Sequence, residues 1–305
     1  MDRFIQACKR LHIYFKEMYP IPERLALGAI IFLEMYFVVA LNQGVRRFTF
    51  GLQEVVCAFT VSSFLCWLRI ADDFKDYELD LRLFAHRPLP SGRVRKKELR
   101  IFAIILIIFT LLLNLLVMNN FIFCLILYSY GSLMAVWFFQ KHKIAKSLPL
   151  ALVTHNPVQL ILNMYIISFT VIKYDLQWFT LTNFMALFTL YLPALIWEIT
   201  RKVRAPEEET EYVTYSKLFG YKKTINFVML LTWIDIMTNF ILVWKLNKMG
   251  IIFLFILVSW MTGQYWDYKK DPGRYRIVER VEKYTYMQET VMILMVMACF
   301  FEGTI

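Results

Sequence analysis

Long apolar runs separated by short charged connections set the pattern of the chain. Nine such runs, at 25–42, 52–70, 99–118, 121–139, 148–172, 178–198, 222–244, 249–266 and 284–302, approach the ~20 residues a helix needs to cross bilayer hydrocarbon. They are too long and too continuously apolar for the alternating strands of a membrane barrel, so the pattern predicts an all-α integral membrane protein, a bundle of about nine transmembrane helices. Residues 1–24 differ. Arg3, Lys9, Arg10, Lys16 and Arg24 mix there with Phe4, Ile5, Leu11, Ile13 and Phe15, which predicts an amphipathic segment lying on the membrane surface.

Composition agrees with this reading. The 305 residues are 59% hydrophobic and 19% charged, against ~45–50% and ~25% in soluble domains, which excludes a water-soluble globule and a disordered chain. The connections are short, so residues 1–305 are expected to form one domain. With nine spans, 29 of the 34 Lys and Arg fall on the side of the N-terminus and of the connections after the second, fourth, sixth and eighth runs, at 69–98, 140–147, 197–221 and 267–283, counting Arg100, Lys222 and Lys223 at the edges of the third and seventh runs. That asymmetry predicts a cytoplasmic N-terminus, acidic connections on the same side, and a C-terminus outside. The net charge of +10 is then accounted for by topology and attraction to membrane lipid, and nucleic-acid binding is not expected. Five scattered cysteines without CxxC spacing argue against a disulfide framework, and four histidines without ligand spacing argue against zinc.

What topology does not explain is a concentration of carboxylates within two basic connections. After the second run, Asp72, Asp76 and Asp80 repeat at i, i+4 and i+8, with Asp73 three before Asp76, so a continued helix puts all four on one broad face. Like charges so spaced repel, and a cation relieves them. Magnesium suits the site because it prefers oxygen and binds one or two carboxylates together with water and phosphate. The competing reading is an exposed helix end whose acids pair with Arg69, Lys75 and Arg82. Beyond His86, Pro88 and Pro90 stop the helix and Gly92 allows a tight loop that returns Arg87 and Arg93 toward the acids, where arginine forks can hold phosphate oxygens.

Asp72-Asp73-x-x-Asp76-x-x-x-Asp80, six residues, then Arg-Pro-Leu-Pro-Ser-Gly resembles the first signature of the UbiA superfamily of intramembrane prenyltransferases. That signature begins with Asn where this chain has Asp72, an exchange that keeps an oxygen ligand. The resemblance implies a helical bundle with a central cavity and a second Asp-rich motif between spans six and seven, followed by Thr and Gly. At 197–221 this chain has Thr214 and Gly220, but Glu198, Glu207, Glu208 and Glu211 stand in place of the usual DxxxD, interleaved with Arg201, Lys202 and Arg204. A solvated charged connection is the competing reading of that loop, and its position between the sixth and seventh runs favours the functional one.

Polar residues also lie within spans. Asn156, Gln159 and Asn163 form a stripe at helical spacing beside Pro157, where the helix should kink, and the stripe serves either substrate contact or interhelical hydrogen bonds. Asp235 shares a polar face with Thr232 and Asn239, and Glu34 sits within the first span, where an ionisable group defaults to a functional reading unless it is paired.

The resemblance implies a magnesium-dependent enzyme. An isoprenyl diphosphate lies with its tail among the spans, and Asp72, Asp73, Asp76, Asp80, Glu198, Glu207, Glu208 and Glu211 are the expected metal ligands. Arg87 is expected to act directly on the diphosphate, with Arg69, Arg93, Arg201, Lys202, Asn156, Gln159, Asn163 and Asp235 as substrate contacts. The prenyl group then passes to a lipophilic, aromatic acceptor. Two alternatives remain: a membrane terpene cyclase that uses the same ionisation without an acceptor, and a transporter or scaffold, for which no inverted repeat is evident.

Overall fold

The structure, a computed structural model, describes residues 2–210 and 213–302, without the side chains of Asp2, Arg3 and residues 300–302. Among the described residues it is entirely helical. The helices are α1 (Asp2–Met18), α2 (Ile21–Asn42), α3 (Leu52–Lys75), α4 (Tyr77–Leu83), α5 (Lys96–Val117), α6 (Phe121–Ala135), α7 (Lys141–Ile144), α8 (Leu148–His155), α9 (Val158–Lys173), α10 (Leu181–Thr189), α11 (Tyr191–Thr200), α12 (Tyr215–Phe219), α13 (Tyr221–Trp244), α14 (Lys248–Lys270) and α15 (Ile277–Glu302). Two turns of 3₁₀ helix, Trp137–Phe139 and Pro206–Glu208, complete the set.

Seven stretches are long and apolar enough to cross a membrane: α2, α3, α5, α8 with α9, α10 with α11, α13 and α14. The protein is therefore a multi-pass integral membrane protein. The expected run 121–139 is a 15-residue helix, α6, that ends where Trp137, Phe138 and Phe139 turn left-handed with φ of 54°, 49° and 58°. The expected run 284–302 lies in α15, whose middle carries Gln288 and Glu289.

The chain packs as two units. One comprises Met1–Leu33 and Thr49–Lys141, the other Glu34–Phe48 and His142–Ile305. In the first, the amphipathic segment is α1, which buries Tyr14 and Phe15 and leaves Phe4 74% exposed, as a helix at a lipid interface would. Arg10 clamps Glu98 of α5 with two hydrogen bonds of 2.8 and 2.5 Å, and Phe15 meets Phe102 edge-on at 4.9 Å. Helices α3, α5 and α6 are joined by a closed polar ladder. Asn114 donates to Thr60 at 2.7 Å, Thr110 to Ser63 at 3.0 Å, and Ser63 meets the Tyr128 hydroxyl at 3.1 Å. Gly131 lets α6 approach α3, because a Cβ there would lie 2.5 Å from the Trp67 ring.

In the second unit α13 packs against α10, α11 and α14, and α15 lies on α11 and α14. The break between α8 and α9 falls at Asn156–Pro157, the expected kink, since proline cannot donate and crowds the preceding turn. Capping side chains start several elements. Ser147, Thr180 and Asn247 each accept a backbone N–H from the first turn of their helix.

Candidate active site

The first acidic motif sits where α3 ends. Backbone hydrogen bonding runs almost unbroken from α3 into α4, with the Asp76 N–H donating to the Asp72 carbonyl and the Asp80 N–H to the Asp76 carbonyl, both at 2.9 Å. The chain bends at Asp76 (φ −99°, ψ 9°). The i, i+4, i+8 spacing is thereby kept while the two helices change direction.

Three of the four aspartates have cationic partners. The buried Asp73 accepts from the Tyr14 hydroxyl at 2.6 Å and pairs with Arg69 at 2.8 Å. Asp72 pairs with Lys75 at 2.9 Å, and the Lys75 ammonium lies 4.9 Å from the Trp137 ring centre. The buried Asp80 receives one Arg87 nitrogen on both oxygens at 3.0 Å, with the guanidinium stacked 3.9 Å above Phe84. The expected pairings of Arg69 and Lys75 are present; Asp80 pairs with Arg87 rather than Arg82. Among the described residues the Asp76 side chain, alone of the four, makes no hydrogen bond or ion pair, while its backbone joins α3 to α4. Burial pushes its carboxyl above the usual range, Asp72 and Asp80 add to the shift, and Lys75 and Lys141 oppose it.

Residues 84–95 return the chain as the double proline requires. The Val94 N–H donates to the Pro88 carbonyl at 3.0 Å, Gly92 takes φ of 76°, and Leu89 and Val94 are buried beneath the loop. Arg93 points to Glu17 of α1, at 2.5 and 2.8 Å, and to the His86 carbonyl at 2.7 Å, so it closes the loop on the surface helix rather than facing the aspartates. The Glu17 carboxyl is held below its ordinary range by Arg93.

In the second unit, Glu198 at the end of α11 is held by Arg201 at 2.6 Å and Lys202 at 2.8 Å. Glu207 and Glu208 are exposed, and Glu211 lies outside the described residues. The loop folds around a neighbour of theirs, Glu209, which accepts from Thr214 at 2.7 and 2.8 Å and from Ser216 at 2.5 Å. Thr214 caps α12, and Ser216 takes the Arg204 N–H at 2.9 Å. Of the interior stripe, Gln159 donates to Asn163 at 3.0 Å and Asn163 to the Leu187 carbonyl at 2.8 Å, an interhelical bond, whereas the Asn156 amide nitrogen is buried without a partner among the described residues. Asp235 is fully buried beside Asn239.

Among the described residues, no three His, Cys, Asp or Glu side chains are grouped closely enough to hold a metal between them. The donor chemistry nevertheless fits magnesium, which needs only one or two carboxylates when phosphate and water supply the rest. An unpartnered, half-buried Asp76 with Asp72 and Asp80 on either side offers that number.

A family model described as the UbiA prenyltransferase family matches residues 31–276. This chain belongs to the UbiA prenyltransferase family. Two solved structures share the fold. A digeranylgeranylglyceryl phosphate synthase studied in membranes is 17% identical, with 97% of this chain and 99% of that one covered and a TM-score of 0.63. A UbiA homologue from Archaeoglobus fulgidus, solved with GPP and Mg2+, is 11% identical, with 94% and 99% covered and a TM-score of 0.58. No curated protein matches significantly in sequence.

Two parts of the site carried no local signal. Tyr14 lies 59 residues from Asp73 and reads in sequence as one more aromatic of an amphipathic helix. Glu209 is indistinguishable from Glu207 and Glu208 until the loop is folded.

Proposed function

We propose that this UbiA-family chain is a magnesium-dependent intramembrane prenyltransferase that ionises an isoprenyl diphosphate and transfers the prenyl group to a lipophilic, aromatic acceptor. The observation that carries the reading is the carboxylate line 72–80, in which cations hold Asp72, Asp73 and Asp80 while Asp76 is left open to an added cation. The relative solved with GPP and Mg2+ supports the choice of substrate and ion.

Magnesium, when bound, would neutralise the diphosphate and so make it a better leaving group. Asp76, with Asp72 or Asp80, would hold it; Glu198, Glu207, Glu208 and Glu211 are proposed separately as candidate ligands in the second loop. Asp73, fixed by Tyr14 and Arg69, sets the position of α3's last turn. Arg87, released from Asp80, offers a planar fork to the diphosphate oxygens as negative charge builds on them, and Arg201 and Lys202 add cations of the same use. Asn156, whose amide nitrogen has no partner among the described residues, is the proposed substrate contact within the stripe 156–163. The same reading includes nine spans, with α6 and α15 completing the seven, a single catalytic domain, and a cytoplasmic N-terminus and acidic loops.

The test is pyrophosphate release by the purified protein with C10–C20 allylic diphosphates and magnesium, with and without phenolic acceptors. We expect release by wild type and at least about a hundredfold loss in Asp76→Ala at normal expression. No release from any donor, or full magnesium-dependent activity in Asp76→Ala, would overturn the reading. The glutamates in the second loop favour a membrane terpene cyclase as the second reading; cyclic hydrocarbon or terpene alcohol formed from donor alone would select it.

A further inference from the structure

The second unit holds a set of interior polar side chains, two of them far along apolar helices, that the diphosphate chemistry does not use. Glu34 lies thirteen residues into α2 and Asp235 fourteen residues into α13, about 20 Å along each helix at 1.5 Å per residue. Tyr284, Gln288 and Glu289 lie in the first half of α15. The Glu34 and Glu289 carboxyls face each other within hydrogen-bonding reach. Asp235 adjoins Gln288 and Glu289, and Tyr284 adjoins Asp235.

Four of these groups are buried, Glu289 is part-exposed, and each of the five keeps at least one side-chain atom without a close partner. Asp235 and Gln288 are fully buried, Tyr284 is 2% exposed and Glu34 4%. One oxygen each of Glu34, Asp235 and Glu289, the Tyr284 hydroxyl and both ends of the Gln288 amide lack any hydrogen-bond partner among the described residues. Helix-to-helix polar contacts in this same chain look different. The ladder of Thr60, Ser63, Thr110, Asn114 and Tyr128 in the first unit pairs every member. Buried polar groups in native proteins are paired in the great majority, and an unpaired one in hydrocarbon is costly, so a cluster of them marks a place where something else supplies the partners.

The chemistry narrows the occupant. The described residues gather no metal-binding group of three, and a charged ligand would bear the cost of leaving water in addition to lying beside carboxyls. A neutral hydroxyl fits both halves of the cluster: it accepts from the Gln288 amide and donates to a carboxyl oxygen. The apolar helices α2 and α13 around the cluster suit a molecule whose remainder is soluble in lipid.

We propose that Glu34, Asp235, Tyr284, Gln288 and Glu289 form a binding site for the hydroxyl head of a neutral, membrane-soluble phenol or alcohol. As the acceptor's site it rests on the prenyl-transfer reading; as a binding site it does not.

The test uses the full chain in lipid nanodiscs without diphosphate or magnesium. Radiolabelled 4-dodecylphenol is displaced by unlabelled 4-dodecylphenol or by dodecylbenzene, and the melting temperature is read in parallel. Wild type is expected to prefer the phenol about tenfold. Gln288→Leu should reduce the preference below about twofold with the melting temperature unchanged, because the amide makes no close hydrogen bond among the described residues, and the isosteric Asp235→Asn should reduce it at least about threefold. Equal binding of phenol and hydrocarbon by wild type, an intact preference in both variants, or a lower melting temperature in Gln288→Leu, which marks an interhelical contact, would overturn the proposal. Failure of wild type to release pyrophosphate would refute prenyl transfer while leaving this binding result standing, and loss of phenol binding would leave donor ionisation untouched.

Discussion

Asp76 and Asp73 stand three residues apart in one acidic motif, and their surroundings predict opposite consequences for the same substitution. Asp73→Ala leaves the buried Tyr14 hydroxyl without its acceptor and Arg69 without its partner. Losing a hydrogen bond to a charged group costs about 1.5–3 kcal/mol, and the half-screened ion pair adds about 0.5 kcal/mol, so the loss is about 2–3.5 kcal/mol. Asp76→Ala breaks no hydrogen bond. It removes two like-charge neighbours at helical spacing, Asp72 and Asp80, each worth about 0.2–0.5 kcal/mol, and it removes a carboxylate whose ionisation burial opposes. Its effect on stability is therefore zero to about 1 kcal/mol in the stabilising direction. At about 2 °C per kcal/mol for a chain of this size, apparent melting temperature in detergent should fall about 4–7 °C for Asp73→Ala and stay level or rise about 2 °C for Asp76→Ala. The sign of the pH dependence follows. The folded-state pKa of Asp76 is raised, so ionised Asp76 costs stability above that pKa and the cost disappears as pH falls below the ordinary aspartate range. The gain in Asp76→Ala should therefore be present near neutrality and absent in acid. Melting curves at two pH values, together with pyrophosphate release, make the assay. An Asp76→Ala protein that melts as low as Asp73→Ala, or that keeps its activity, would refute the division between a structural and an open carboxylate.

Chelation of magnesium with EDTA should abolish pyrophosphate release and added magnesium restore it, measured in one preparation; activity that persists through exhaustive chelation would count against metal binding at the acidic motif. Arg87→Ala should raise KM for the diphosphate at least about tenfold while lowering the melting temperature by no more than about 2 °C, because a part-exposed pair with Asp80 contributes at most about 1 kcal/mol. A KM equal to wild type would remove Arg87 from the phosphate site. Glu209→Ala strips the acceptor from the buried Thr214 and Ser216 hydroxyls, so trypsin should cut at Arg201 to Arg204 at least several-fold faster, whereas Glu207→Ala should cut as wild type. Equal rates in the two variants would show that Glu209 does not hold the loop.

Hydropathy made most of the helices legible because hydrocarbon forces each backbone group to find its partner within the helix. It was least informative at 121–139, where Trp137, Phe138 and Phe139 are apolar enough to extend a span but form a left-handed turn, and at α15, where Gln288 and Glu289 interrupt the apolar run with groups whose environment no local pattern reveals. The same division holds at the candidate site. Asp72, Asp73, Asp76 and Asp80 were legible as one line because a single helical path connects them. What distinguishes Asp73 from Asp76 is Tyr14, brought in by a surface helix, and that contact depends on tertiary packing. Arg93 shows the other side of this: its place in the sequence suggests a phosphate contact, and the fold adds a partner no local pattern reveals, Glu17 of α1.

The pairing of three aspartates with cations bears directly on how such a site can stay charged without its ligands. Four bare carboxylates at the end of one helix would repel one another and drift toward protonation. Lys75 and Arg87 hold Asp72 and Asp80 in place, and because both pairs are only partly shielded from solvent, each contributes about 0–1 kcal/mol and yields readily to a better partner. A diphosphate with magnesium offers both halves of the exchange, phosphate oxygens to the cations and a divalent ion to the carboxylates, so the swap conserves the number of opposite-charge contacts. Asp73 is excluded from it, since the buried bond to Tyr14 would have to break. On the proposed reading the motif divides into one aspartate that fixes the helix end, two that exchange partners and one, Asp76, that is open from the start. On this division Tyr14→Phe should free Asp73 and lower kcat, with little change in magnesium affinity. A fall in magnesium affinity with kcat preserved would instead place Asp73 among the exchanging ligands.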